Sequence, residues 1–349
     1  MKVLLVSALP PPEGGIATWT ERYLEYCYDH CIDTTMVNIA LSGDRGQKIN
    51  SSINIKDEVV RTLRVLKKMI GCVNCDSISV THINTSCGAF GIFRDLLCIK
   101  VAYKKTPIVL HFHCNIENRV YGKIRLWVLK RMITMADRVL VLNSTSKQFI
   151  SKISEKIPIV LPNFINSNYL VEKHQIRSII KEIIFVGHVQ MTKGCKEILE
   201  AASQLPGIHF TLIGPIADEI AKLPCPENVS MIGVLSHDEV KNYLIDADLY
   251  LFPSYTEGFS QSLTEAMATG LPSVATEVGA NKDMLEDKGG VIIPVKNTEA
   301  IIKAIRALSS STDRKKMSEW AINKVKKCYL TEQVMNRLIN IYSEVENEH

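Results

Sequence analysis

Short apolar runs, each followed by a longer amphipathic stretch, recur along this chain and decide its class. In the first half KVLLVS, SISVTHI, PIVLHFH and RVLVLN read as buried strands. GIATWTERYLEYCYDH, DEVVRTLRVLKKMI, FGIFRDLLCIKVAYKK and YGKIRLWVLKRMITMA carry helical spacing. Strands alternating with helices build parallel, doubly wound sheets. The pattern stops at EKIPIVLPNFINSN (155–168), which holds two prolines and three asparagines and no helical period. It then restarts, with EIIFVG, HFTLIG, DLYLFPS, PSVAT and GGVIIPV as strands. KGCKEILEAASQL, SHDEVKNYLIDA and GFSQSLTEAMATG are the helices between them, the second opened by a capping box from Ser236 to Glu239. Three helical stretches close the chain from about Thr298 to Glu346. The expected architecture is α/β, with two Rossmann-like domains facing a cleft. The first spans 1–164 and the second 165–330, and a closing helix at about 331–349 is placed to pack back on the first. Such sheets take ligands beyond the C-terminal ends of their strands.

A length of 349 residues is enough for two cores, and 46% hydrophobic with 22% charged residues is ordinary for a soluble globular chain. No apolar run approaches the ~20 residues of a membrane span. The N-terminus reads as a first strand and not as a signal peptide, so the expectation is a cytoplasmic protein. Ten cysteines occur, with one C-x-x-C pair, Cys72 and Cys75. A zinc site needs two more ligands at useful spacing, and reduced, mostly buried thiols are expected instead. Charge is uneven. Residues 1–170 hold 22 Lys and Arg against 13 Asp and Glu, whereas residues 171–349 hold 19 against 24.

Three stretches carry chemistry. LPPPEGGIATW joins the first strand to the first helix, and Gly14 and Gly15 leave a bare backbone at the helix N-terminus. Unpaired amides and the helix dipole favour an anion there. The plainer reading is a turn, and G-x-G-x-x-G is not met. FVGHVQMTKG puts His188 just past a strand and Lys193 near the next helix, both within reach of an anion at the sheet mouth. The plainer reading is a solvent lysine and a loop histidine. YTEGFSQSLTEAMATG places Glu257 before a helix and Glu265 eight residues later, among small and apolar neighbours. A carboxylate buried there needs a partner. Glu257 and Glu265 suit sugar or ribose hydroxyls, and the amides of Phe259 and Ser260 suit a phosphate. DAD (246–248) lies at a helix-to-strand junction and is not read as a metal motif.

Together with HFH, LIGP and GANKDML, these stretches resemble the retaining glycosyltransferases of GT-B fold, and within them the group 1 (family 4) enzymes of bacterial surface-polysaccharide synthesis. The likeness is strong from about 182 to 295 and looser before. It implies transfer of a hexose or N-acetylhexosamine from a UDP- or GDP-linked sugar to a lipid-linked glycan acceptor, with no catalytic metal and no cofactor beyond the donor itself. It further implies that Gly14 and Gly15 approach the donor phosphates, with His188 and Lys193 neutralising them. Glu257 would hold the sugar, and the amides of Gly258, Phe259 and Ser260 would line its pocket. Glu265 would take the ribose, and Val234 and Leu235 would border the base. His113 matches the first-domain histidine near the sugar, ahead of His111. Two departures stand out: His188 replaces a usual Arg, and Lys282 and Asp283 replace a usual Pro and Glu.

The basic half needs its own account. Lys123, Arg125, Lys130 and Arg131 share a helix with Leu126, Trp127 and Leu129, and RTLRVLKKMI adds Arg61, Arg64, Lys67 and Lys68. Such helices suit the anionic inner face of a cell membrane, where a lipid-linked acceptor would lie. The alternative is an ordinary charged outer face. No nucleic-acid reader motif accompanies the charge. Two other function classes stay open: a nucleotide-sugar epimerase of similar architecture, and a non-catalytic nucleotide- or glycan-binding protein.

Overall fold

The computed structural model describes residues 1–11, 14–40, 55–75, 77–286 and 288–349. The chain forms two units, Met1–Asn163 with Glu332–His349, and Phe164–Thr331.

Unit 1 runs β1 (Lys2–Ser7), α1 (Gly15–Asp29), β2 (Asp33–Asn38), α2 (Ile55–Cys75), β3 (Val80–Thr85), α3 (Gly91–Ala102), β4 (Ile108–Phe112), α4 (Lys123–Met135), β5 (Arg138–Val141), α5 (Ser144–Ile153) and β6 (Ile159–Val160). Its six strands pair in parallel in the order β2-β1-β3-β4-β5-β6. The inner strands β3 and β4 are wholly buried, as strands covered on both faces are. The edge strand β2 reads DTTMVN and buries only Val37, so it shows no apolar run. β6 is a two-residue edge inside the stretch expected to be a plain connection.

Unit 2 runs β7 (Glu182–Val186), α6 (Cys195–Ser203), β8 (His209–Ile213), α7 (Asp218–Ala221), β9 (Val229–Gly233), α8 (His237–Asp246), β10 (Leu249–Phe252), α9 (Gln261–Ala268), β11 (Ser273–Thr276), α10 (Asn281–Leu285), β12 (Gly290–Ile293), α11 (Thr298–Ala307) and α12 (Ser311–Cys328). The sheet is parallel in the order β12-β11-β10-β7-β8-β9. The capping box at Ser236 and Glu239 is formed, with both reciprocal bonds. Within DAD, Asp248 is structural. It accepts from the amides of Lys181 and Glu182 at 2.8 and 3.0 Å and from Arg177 at 3.2 Å, tying β10 to the entry of β7. The last helix, α13 (Thr331–Glu348), packs in unit 1, where Tyr342 bonds to His82 and, at 3.3 Å, to Tyr23.

Each strand order reverses once. In unit 1 the reversal lies between β1 and β3, and in unit 2 between β7 and β10. Open α/β sheets bind ligands at such switch points, beyond the strand C-termini.

Candidate functional site

In unit 2 the two loops leaving the switch-point strands lock together. The loop after β7 makes one 3-10 turn, Met191–Lys193, then Gly194 at φ +73°. A Cβ on Gly194 would stand 2.2 Å from the carbonyl oxygen of Pro253, so only glycine lets the turn lie against the loop after β10. The amide of Tyr255 donates to the Thr192 carbonyl at 2.9 Å. This seam brings Lys193 Nζ to 2.5 Å from Glu257 Oε1, with the two side chains 23% and 11% exposed. Ser254 Oγ donates to the same carboxylate oxygen at 2.7 Å. Lys193 also stands 5.6 Å from the centre of the Phe252 ring.

The loop after β11 supports the other side. Gly279, at φ +54°, lets its backbone lie against Glu257, since a Cβ there would be 2.5 Å from the Glu257 carbonyl oxygen. Ala280 donates its amide to Gly258 at 3.1 Å. Asn281 holds Thr276 O at 3.0 Å through its amide and receives Ser260 Oγ at 2.6 Å. The stretch that departs from the family pattern at Lys282 and Asp283 therefore still braces residues 257–260. Lys282 itself pairs with Glu277 at 2.8 Å on the surface.

Phe259 and Ser260 are buried where α9 begins, and the N-cap Ser260 spends its hydroxyl on Asn281 rather than on the helix. The first-turn amides of α9 thus keep no side-chain cap, and no acid sits among them. Glu265 is 6% exposed, one turn into α9. Burial, and then the charges of Glu265 and Glu257 among other causes, push up the Tyr250 hydroxyl, which bonds Ser262 Oγ at 2.8 Å. His188 is exposed, just past the end of β7. Val234 (exposed) and Leu235 (half-buried) follow β9 at the sheet edge, away from the switch point.

Unit 1 holds a cavity of about 520 Å³ at its own switch point. Gly14 and Gly15 after β1, Asn84 and Ser86 near the end of β3, and His113 after β4 all line it. Neither glycine is demanded by the protein. Gly14 is extended at φ 169°, Gly15 opens the helix, and a Cβ on either meets nothing within 4 Å. The α1 N-terminus has no side-chain cap and no acid in its first turn. Glu13 lies outside the described residues.

A directed hydrogen-bond chain orients His113. Thr20 Oγ1 donates to Ile16 O at 2.8 Å, so the 2.6 Å Ser7–Thr20 contact has Ser7 as donor. Ser7 in turn accepts from Asn84 Nδ2 at 2.9 Å. Asn84 Oδ1 is left to accept from His113 Nε2 at 3.0 Å. His113 is thereby a neutral Nε2–H tautomer whose buried Nδ1 is an acceptor without a protein partner. Burial, with a smaller push from His82, lowers its pKa to about 3. It can receive a hydroxyl hydrogen and has no proton to give from Nδ1. His111 is fully buried between His82 and His113 and does not line the cavity.

The basic helices divide differently from the sequence reading. Leu129 packs inward, while Ile124 and Trp127 are 71% and 60% exposed. Arg125 turns to the Cys87 carbonyl at 2.5 Å. Arg61 is only 14% exposed, pairs with Glu58 and lines the cavity, so it is not part of an outer face. Lys67, Lys68, Lys123, Lys130 and Arg131 are exposed. Cys72 and Cys75 both lie on α2. Among the described residues no group of three His, Cys, Asp or Glu is placed to hold a metal ion, and no helix is long and apolar enough to cross a membrane. Sequence reasoning missed Asn84, Arg94, Tyr250, Ser254 and Asn281, and put Arg61 on an outer basic face. The one available signal was THINTS, a polar run closing a buried strand.

The family model for "Glycosyl transferases group 1" matches residues 169–326, nearly all of unit 2. The lipopolysaccharide core biosynthesis mannosyltransferase LpsB of Rhizobium meliloti (strain 1021) is 26% identical over 150 residues, 41% of this chain and 42% of that protein. Relatives named for teichuronic acid biosynthesis in Bacillus subtilis (strain 168) and colanic acid biosynthesis in Escherichia coli (strain K12) are 26% and 34% identical. They align over 57% and 37% of this chain, and 54% and 36% of their own length. The chain thus spans about half or less of the length of these three relatives. Among solved structures, sucrose-phosphate synthase from Thermosynechococcus elongatus superposes with TM-score 0.79 at 16% identity, covering both chains fully. Anabaena Alr3699/HepE in complex with UDP-glucose gives 0.75 at 15%, covering 99% of this chain and 100% of that one. These likenesses show the fold, the two-unit GT-B architecture.

Proposed function

Residues 169–326 belong to the group 1 glycosyl transferases, and from that premise we propose that the chain is a retaining glycosyltransferase of bacterial surface-polysaccharide synthesis. It moves a hexose or N-acetylhexosamine from a nucleoside diphosphate sugar to a lipid-linked glycan acceptor. The observation that carries this reading is the Lys193–Glu257 pair at the switch point of unit 2. Sugar transfer needs a leaving diphosphate stabilised and a sugar held, and a fixed cation beside a fixed carboxylate supplies both. Lys193 faces the diphosphate together with the uncapped first turn of α9. Glu257, held by Ser254, accepts sugar hydroxyls, and Glu265 accepts those of the ribose. In unit 1 the bare amides at Gly14 and Gly15 offer a place for an anion, and His113 Nδ1 accepts a sugar hydroxyl. Fixed amides and Lys193 meet the diphosphate, so the reading requires no metal. The HepE complex with UDP-glucose and the relatives named for surface glycans support the donor and pathway classes.

The acceptor's lipid fits an anionic membrane surface held by the outer face of α2 and α4. Leu63, Tyr121, Ile124 and Trp127 are 60–71% exposed there among lysines. The chain would then work at the inner face of the cell membrane.

A thermal-shift screen of nucleotide sugars tests the donor reading, because a ligand of the folded state raises apparent stability. The stabilising donor is then incubated alone and with lipid-linked acceptor. Transfer only with acceptor supports the proposal. A changed sugar without acceptor would mean an epimerase, and binding without transfer a non-catalytic protein.

A further inference from the structure

The outward stripe of α3 breaks the rule for a surface helix, which turns polar residues to water. In GIFRDLLCIKVA the charged Arg94 and Asp95 are buried, and the exposed positions before Lys100 are Phe93 and Leu97. Phe90, at the N-cap, extends the same row, since residues three and four apart share a helix face. From Phe90 to Leu97 the helical rise makes this row about 10 Å long.

The row is also recessed. α3 packs against α2 on one side and α4 on the other. Phe90, Phe93 and Leu97 are 39–41% exposed, whereas Val60 and Leu63 on α2 and Ile124 and Trp127 on α4 are 60–71% exposed. A half-covered apolar row between two barer apolar rows is a shallow channel. One end opens on the cavity of unit 1. Phe90 lines that cavity with Gly88 and Ala89, and the bond from Arg125 to the Cys87 carbonyl ties the start of α4 to the same loop. The other end closes on Lys100 and Tyr103, both exposed. Charge along the channel has one sign. The sequence of α4 contains no acid and Asp95 of α3 is buried, while Lys67, Lys68, Lys123 and Lys130 are exposed.

Resting on the reading above, we infer that this channel takes the single hydrocarbon chain of the lipid-linked acceptor and leads its glycan end into the cavity of unit 1. Phe93 and Leu97 form the floor, and Phe90 marks the point where chain gives way to sugar. The lysines complement the anionic bilayer from which the chain is drawn. A second copy of this protein is the poorer occupant, because a two-fold contact would set the same lysines against each other. The apolar residues of α2 and α4 then hold the protein at the surface, while α3 reads the one lipid to be glycosylated.

The test measures binding of butyl, hexyl and octyl β-glucoside to the full chain by calorimetry, below their micellar concentrations. A chain covered on one side gains about half of what a fully buried CH₂ gains, so affinity should rise about twofold per methylene, or roughly fifteenfold from butyl to octyl. Phe93→Gln and Leu97→Gln should each cut that rise to under about threefold, with UDP affinity and the thermal transition showing that they fold. Ile124→Gln and Trp127→Gln should weaken binding to vesicles of phosphatidylglycerol and phosphatidylcholine yet keep the chain-length rise. Affinity independent of chain length in the parent protein overturns the inference whatever the variants do. So does a rise that Phe93→Gln and Leu97→Gln leave intact, or one lost only in the α4 variants, which would make the whole face a membrane contact. A dimer in sedimentation that Phe93→Gln dissociates overturns it in favour of a second copy. Failure to bind UDP overturns the donor reading instead and leaves the chain-length series readable by itself.

Discussion

Lys193→Met separates chemistry from bracing at the candidate site. Methionine keeps an apolar stem near the Phe252 ring and removes the charge 2.5 Å from Glu257. Stranding a fully buried partner charge costs about 3–5 kcal/mol. Here Glu257 keeps the 2.7 Å bond from Ser254 and is 11% exposed, so the stability cost falls to about 1–3 kcal/mol. For a unit of this size each kcal/mol moves Tm by about 2–4 °C, giving a loss of roughly 2–12 °C from a chain still folded at 25 °C. Catalysis should suffer more. A fixed donor aimed at developing charge is worth about 2.7–4 kcal/mol, or roughly 10²–10³ in kcat. The assay is nucleotide release with the donor found by thermal shift, at saturating acceptor, beside Glu257→Gln, which retains the Ser254 bond. Both variants should lose turnover by about that factor with intact folding transitions. Turnover of Lys193→Met within about threefold of the parent, together with the Tm loss, would refute the argument and leave the pair as a brace.

Gly15→Ala should raise Tm by about 1–4 °C, from about 0.4–1 kcal/mol of unfolded-chain entropy, yet lower kcat/KM at least tenfold, because the added methyl meets no protein atom but stands in the cavity. Gly194→Ala should instead cost about 2–5 kcal/mol in a urea titration, since its Cβ collides with Pro253 O at a positive φ. Unfolded imidazoles take protons near pH 6.5, whereas His82 and His113 resist them down to about 3 and His111 is also held well below its ordinary value, each chiefly by burial. The unfolded state therefore binds more protons below pH 6.5. Stability should fall as pH falls, by on the order of 1 kcal/mol per pH unit for each such histidine, and Tm scans from pH 7 to 5 check this. A flat profile would remove the buried neutral cluster. Arg314, fully buried, donates to the carbonyls of Leu308, Arg177 and Ser178 at 2.9, 2.9 and 3.2 Å. Arg314→Met should cost about 3–5 kcal/mol in urea by leaving those oxygens unmet.

The parallel fold was legible because inner strands are covered on both faces and must be continuous apolar runs, as KVLLV and PIVLHF are. β2 and β9 were not, for the complementary reason. Edge strands bury one face at most, and DTTMVN and VSMIG mix polar and apolar residues without a run. At the site, residues with a chemical identity of their own could be named from spacing, as Lys193 and Glu257 were. Their supports could not. Ser254, Asn281 and Asn84 act through contacts spanning 3, 21 and 29 residues, and nothing in one sequence distinguishes them from other small polar residues. Arg61 was misplaced because helical spacing gives a basic stripe but not which edge of it turns inward. Its position three residues from Glu58 was the missing clue.

Glycine use separates the parts of the site that the protein needs for itself from the parts it leaves for something else. At Gly194, Gly279 and Gly290 a methyl would strike backbone oxygen at 2.0–2.5 Å, so the fold alone explains those residues. At Gly14, Gly15 and Gly91 the backbone is not left-handed, and the nearest protein atom stands 3.5 Å away or beyond 4 Å. Alanine would stabilise such positions by lowering the entropy of the unfolded chain by about 0.4–1 kcal/mol. Leaving that stability unused at three places around one cavity is accounted for by a ligand that must reach the backbone. The α1 N-terminus that Gly14 and Gly15 open offers uncapped amides, which makes that ligand one rich in oxygen and negative charge. A sugar phosphate meets both conditions, and a purely apolar or cationic ligand meets neither.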